Sequence, residues 1–135
     1  MITESLSLPK AGAVKKSSKS RLWIGRVLWA LAVPFLLFDI SLHIANPPFV
    51  AEASRAIGLS PSVIPVLGVV ELLCLALYLI PRTAIFGAVL LTGFFGGAVA
   101  THVITGTPFV FALLMGVLFW GSLYCRDERV KSLVS

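Results

Sequence analysis

Residues 62–104 read Ser62-VIPVLGVVELLCLALYL-Ile80, then Pro81-Arg82-Thr83, then Ala84-IFGAVLLTGFFGGAVATHV-Ile104. Each apolar run is about as long as the roughly 20 residues that a helix needs to cross a bilayer core. A three-residue turn with a proline joins them, so neighbouring helices must run back alongside one another. Each run also holds one acidic or imidazole side chain, Glu71 or His102.

Two further runs flank this hairpin. The sequence predicts a first span at about 22–45, a second at 62–80, a third at 83–104 and a fourth at 108–124. Pro61 and Pro81 fence the second span, and Thr105-Gly106-Thr107-Pro108 separates the third from the fourth. Asn46-Pro47-Pro48 ends the first, because proline excludes the helical conformation for the residue before it. The expected fold is therefore an all-α membrane protein, an antiparallel four-helix transmembrane bundle. Composition agrees: 58% of the 135 residues are hydrophobic and 13% charged, about half the charge fraction of a soluble domain. Mean hydropathy is +0.98. Residues 1–20 are Ser- and Lys-rich and read as a basic, disordered tail, with the membrane domain at 21–127 and a short tail at 128–135. The first apolar run is too long for a signal peptide, and no Ala-x-Ala-like site follows it.

Basic residues mark the cytoplasmic side of a membrane protein. Lys10, Lys15, Lys16, Lys19, Arg21 and Arg26 precede or open the first span, Arg82 lies in the hairpin turn, and Arg126, Arg129 and Lys131 follow the fourth span; only Arg55 of the eleven falls in the opposite loop. An even number of spans puts both ends on one side, and both ends are basic, so both termini are expected in the cytoplasm. Trp23, Trp29, Tyr78, Trp120 and Tyr124 fall near the same ends and are expected to anchor at headgroup level. The net charge of +5 is then a topology signal. No nucleic-acid partner is expected, since no folded basic surface with aromatic platforms exists; the expected partner is the lipid bilayer. Cys74 and Cys125 form no Cys-x-x-Cys pair and read as small apolar groups.

Four acidic or imidazole side chains fall at membrane depth: Asp39, His43, Glu71 and His102. Such groups are costly there, and they face a bundle interior or a cavity. Asp39 lies about 12 Å and Glu71 about 13 Å below the outer edge of the core at 1.5 Å per residue. His43 is one turn above Asp39 on the same face, and His102 closes the third span at the outer rim. The four form a ladder of candidate ligand-binding residues. Glu71 is expected within reach of Asp39 or His43, on a face shared with Ile64, Gly68, Cys74, Leu75 and Tyr78. Gly68 should leave room for a pocket beside the carboxyl. Pro34 should kink the first span below Asp39.

Competing readings are a structural tie across helices, a small-molecule pocket of quinone type, a metal site, and a proton relay or small transporter. No H-x-x-E-H or E-x-x-H spacing supports the metal, and no metal is assigned from the sequence. Gly93 and Gly97 form a small-residue motif that permits close helix packing, within the bundle or in a homo-oligomer. His102, Phe95 and Ala98 fall on the other side of that helix, toward the interior.

The stretches Ile80-Pro81-Arg82-Thr83-Ala84, Gly87-Ala88-Val89-Leu90-Leu91-Thr92-Gly93, Gly96-Gly97-Ala98-Val99-Ala100-Thr101-His102 and Trp120-Gly121-Ser122-Leu123-Tyr124 resemble the DoxX-like membrane proteins. The resemblance implies a four-helix protein of the bacterial inner membrane. The wider group includes small subunits associated with quinone-linked oxidation of sulfur compounds. It therefore implies an auxiliary subunit of a membrane oxidoreductase system, with a quinone as the ligand class and a membrane or soluble oxidoreductase as partner, and it places chemistry on no side chain. The alternatives are a structural or assembly protein without ligand, and a transporter or metal-dependent enzyme using the buried set.

Overall fold

The structure is a computed structural model and describes residues 19–135. The disorder expected for residues 1–20 falls almost wholly outside the described residues. Every regular element described is helical: α1 (Lys19–Ala45), α2 (Pro48–Ala56), a 3-10 turn (Pro61–Val63), α3 (Ile64–Leu79), α4 (Ala84–Thr105), α5 (Val110–Arg126) and α6 (Glu128–Val134). The ends of the long helices fall within three residues of the expected spans. Helix α1, the segment Pro61–Leu79 and α4 are each long and apolar enough to cross a membrane. Helices α5 and α6, bent by 103° at Asp127, qualify only as a pair, so three segments, or four with that pair, are long and apolar enough to cross. Pro34 lies inside α1 without interrupting it.

Helices α1, α3, α4 and α5 pack around a shared core of Leu36, Leu75, Leu91, Phe95, Met115 and Phe119. On α3 the buried set is Ile64, Gly68, Glu71, Cys74, Leu75 and Tyr78, the face read from the sequence at steps of three and four. The opposite faces stay apolar yet exposed, as with Phe38, Leu73, Phe86, Val117 and Ile104. A soluble bundle would place polar groups there; these faces suit lipid.

Glycines set the closest helix contacts. A Cβ added at Gly25 would fall 2.6 Å from Arg126 Cγ, and one at Gly87 would fall 2.2 Å from the Tyr78 nitrogen. The Ser122 hydroxyl donates to the Gly25 carbonyl at 3.1 Å, and Arg21 pairs with Glu128. The start of α1 thus lies beside the end of α5. By contrast, a Cβ at Gly93 or Gly97 meets nothing within 4 Å. The close approach that this pair permits is not made inside the described chain.

One aromatic departs from expectation. Trp23, Trp29 and Tyr124 are exposed, but Tyr78 is 1% exposed. It sits two turns from Glu71 on the buried face, and its hydroxyl donates to the Phe119 carbonyl at 2.8 Å. A phenol with a buried carbonyl partner has no need of the headgroup layer. Trp120 stays partly exposed, its indole donating to Thr92 Oγ1 at 2.7 Å.

At the bend before α6, the Asp127 carboxylate caps the helix by accepting from the Arg129 backbone at 2.9 Å. It also pairs with the Arg129 side chain, whose Nη2 donates both to Asp127 Oδ2 at 2.7 Å and to the Pro81 carbonyl at 2.6 Å. The Arg129 guanidinium holds the Asp127 carboxyl below the usual aspartate range. A depressed carboxyl stabilises the fold above its unfolded value and loses that contribution as pH falls through the folded one. Docking of α6 should therefore be constant from pH 8 to 5 and loosen well below about pH 4. Hydrogen exchange of residues 129–134 measures it, and Asp127→Ala should cost about 1 kcal/mol at neutral pH.

Candidate functional site

The site is built where α1 crosses α3. Asp39 and His43 stand one turn apart on α1, and Glu71 faces them from α3. Asp39 Oδ2 lies 3.6 Å from His43 Nδ1, which lies 3.3 Å from Glu71 Oε2. Glu71 is fully buried, whereas the side chains of Asp39 and His43 keep about a quarter of their surface. One donor atom from each of the three lies within 4.8 Å of the others. The matched depths read from the sequence have become a cluster, with the imidazole between two carboxylates.

The cluster is under-bonded. Neither oxygen of Glu71 nor Nδ1 of His43 has a hydrogen-bond partner among the described residues. A charge-assisted N–H···O bond closes to about 2.7–2.9 Å, and both contacts here are longer. Buried polar groups without partners are few in native proteins, and they call for an explanation.

Gly68 departs from its expected role. It does not open a pocket; it lets α1 lie directly on α3, and an added Cβ would fall 2.8 Å from His43 Cβ and 2.9 Å from Ile44 Cγ1. The glycine permits backbone approach, which is what brings His43 to Glu71.

His102 is not in the cluster. It ends α4, where its Nδ1 meets Thr107 Oγ1 at 2.7 Å above the left-handed Gly106 cap. It shares with Asp39 and His43 the lining of a cavity of about 530 Å³. Phe95 and Ala98 line it too, as their helix face predicts. Glu71 lies behind His43 and off the wall, so the four-rung ladder becomes three clustered groups with a histidine across a cavity.

The sequence reading misses the cover of this cavity. Helix α2 contributes Val50, Ala53 and Ser54 to its wall, and Ile57 and Leu59 follow. The signal is present: Pro48 at the first helical position suits a helix start, and Val50, Ala53, Ser54 and Ile57 recur at helical spacing. Asn46 holds α2 in place, in a left-handed conformation with its amide donating to the Pro61 carbonyl at 2.9 Å.

The cavity wall is apolar, with Phe94, Phe95 and Phe111 among its residues, and its polar groups are few and convergent. Such a site takes a largely apolar molecule and orients it by hydrogen bonds. Cys74 is buried one turn from Glu71, and Cys125 is half-buried on α5. No protein of established function and no solved structure is similar enough to the chain to compare. The model of the DoxX-like family matches residues 27–122, most of the chain, and its apolar helices make it an integral, multi-pass membrane protein: the chain belongs to the DoxX-like family.

Proposed function

We propose that this protein is an auxiliary subunit of an oxidoreductase system in the bacterial inner membrane, and that its cavity binds a small apolar molecule of quinone type. The observation that carries this reading is the 530 Å³ cavity with aromatic walls and the Asp39, His43 and His102 side chains at its edge. A quinone offers a flat apolar ring and carbonyl acceptors, which match aromatic walls and imidazole donors. A purely structural tie is less well supported, because it would satisfy its own buried atoms, and those of Glu71 are unsatisfied.

In this reading the helices cross as four antiparallel spans with both ends cytoplasmic. The basic residues at the start of α1, in the Pro81–Thr83 turn and after α5 support it. Helix α6 then lies along the cytoplasmic headgroups, and α2 covers the cavity on the outer side. Single cysteines at positions 16 and 55, in a chain with Cys74→Ala and Cys125→Ser, test the topology. A membrane-impermeant thiol reagent added outside should label position 55 and spare 16; the reverse pattern would overturn it.

A short-chain ubiquinone analogue should quench the tryptophan fluorescence of the detergent-purified protein saturably. Gly97, set by the sequence on the side of α4 away from His102, also lines the cavity, and Gly97→Phe fills it from a position where a Cβ has open space. It should weaken binding at least about tenfold, or 1.4 kcal/mol, with helicity unchanged. Binding that is absent in the parent protein, or indifferent to Gly97→Phe, counts against the cavity.

A further inference from the structure

The Asp39–His43–Glu71 cluster has the dimensions of a metal site. A zinc ion held at about 2.0–2.1 Å by its ligands in a tetrahedron separates them by about 3.3 Å. The two separations fixed here, 3.3 Å and 3.6 Å, meet at His43 Nδ1. They are too long for charge-assisted hydrogen bonds and close to a tetrahedral edge. The second observation is independent of spacing. Glu71 is 0% exposed, both its oxygens lack hydrogen-bond partners, and its carboxylate is turned toward His43. With both carboxylates ionised and the imidazole neutral, the donor set would carry −2, which a divalent cation cancels. In a medium of low dielectric constant that cancellation is worth far more than in water.

We infer that Asp39, His43 and Glu71 form a binding site for a divalent first-row cation of zinc-like chemistry, with a fourth position open to the cavity. One imidazole nitrogen and two carboxylates suit such a cation. Three protein ligands plus an open position are the arrangement of zinc sites that bind a water or a ligand oxygen. Asp39 and His43 line the cavity and Glu71 closes the back, so the open position meets the cavity, where a carbonyl oxygen or a water can complete the shell. Helix spacing in the sequence conceals the site, because its donors come from two helices and only the Asp39–His43 pair is local.

The test is a titration of chelator-treated protein in mild detergent with Co²⁺, followed by competition with Zn²⁺. No organic ligand is present, so its failure is separate from a failure of the quinone-type cavity. One equivalent of Co²⁺ per chain should bind, with the visible bands of a tetrahedral ion, and Zn²⁺ should displace it. Glu71→Gln and His43→Ala should each weaken binding by at least about 100-fold, since even outer-shell partners of a metal cost 10–100-fold. Cys125→Ser should leave it unchanged. Asp39→Asn, on the more exposed cavity side, serves where Glu71→Gln does not fold. The proposal fails if no stoichiometric Co²⁺ is taken up. It fails equally if uptake survives Glu71→Gln or Asp39→Asn in protein with the parent's helicity and gel-filtration profile.

Discussion

Gly87→Ala should destabilise the bundle by about 3 kcal/mol, the upper end of the overpacking range, measured by reversible SDS unfolding in mixed micelles. The three nearest atoms to the new Cβ are the Tyr78 nitrogen at 2.2 Å, the Tyr78 Cα at 2.6 Å and the Leu77 carbonyl carbon at 2.7 Å. All are backbone, so no rotamer change relieves the overlap, and the end of α3 must separate from the start of α4. That separation also strains the turn, where the Thr83 hydroxyl donates to the Leu77 carbonyl at 2.8 Å. Alanine's better helix propensity returns at most about 1 kcal/mol. Gly93→Ala is the control. It meets open space and should be neutral or slightly stabilising in the monomer. A loss at Gly93 as large as at Gly87, with a change in oligomeric state, would instead place a second copy of the chain against Gly93 and Gly97.

These two glycines show what the sequence tells and what it withholds. The number and length of the long helices follow from apolar runs and proline fences, since both depend only on local spacing. The buried face of α3 follows from period alone, and Ile64, Gly68, Glu71, Cys74, Leu75 and Tyr78 all lie on it. The meeting of Glu71 and His43 follows from matched depth plus the cost of turning a carboxyl to lipid. The distance between helix axes is another matter. Gly87, outside the Gly93-x-x-x-Gly97 pattern, makes the tightest contact. Gly68 reads as pocket and turns out to be a contact, while Tyr78 reads as a membrane anchor and turns out to be core. In each case a nonlocal neighbour decides, Tyr78 for Gly87, His43 for Gly68 and Phe119 for Tyr78. Helix α2 is a miss of a different kind, because its spacing is legible in nine residues hidden among turn-forming prolines and glycine.

Gly68→Ala should separate fold from site more sharply than any substitution of the polar residues themselves. Its Cβ would fall 2.8 Å from His43 Cβ, 2.9 Å from Ile44 Cγ1 and 3.1 Å from the Ile44 nitrogen, where carbon atoms pack best at about 3.5–4.0 Å. The end of α1 must move away from α3 by roughly that shortfall, and His43 moves with it. Overpacking costs about 1–3 kcal/mol, offset by up to about 1 kcal/mol of helix propensity, so the protein should still fold with a modest loss in SDS resistance. The site should suffer more. A displacement of about 1 Å can cost 100-fold where geometry must be met, and the contact of His43 with Glu71 is the one the added methyl pushes apart. Co²⁺ affinity should therefore drop by about that factor although Asp39, His43 and Glu71 are all unsubstituted. Gly68→Ala with unchanged Co²⁺ binding would mean that the helix contact does not hold the cluster together.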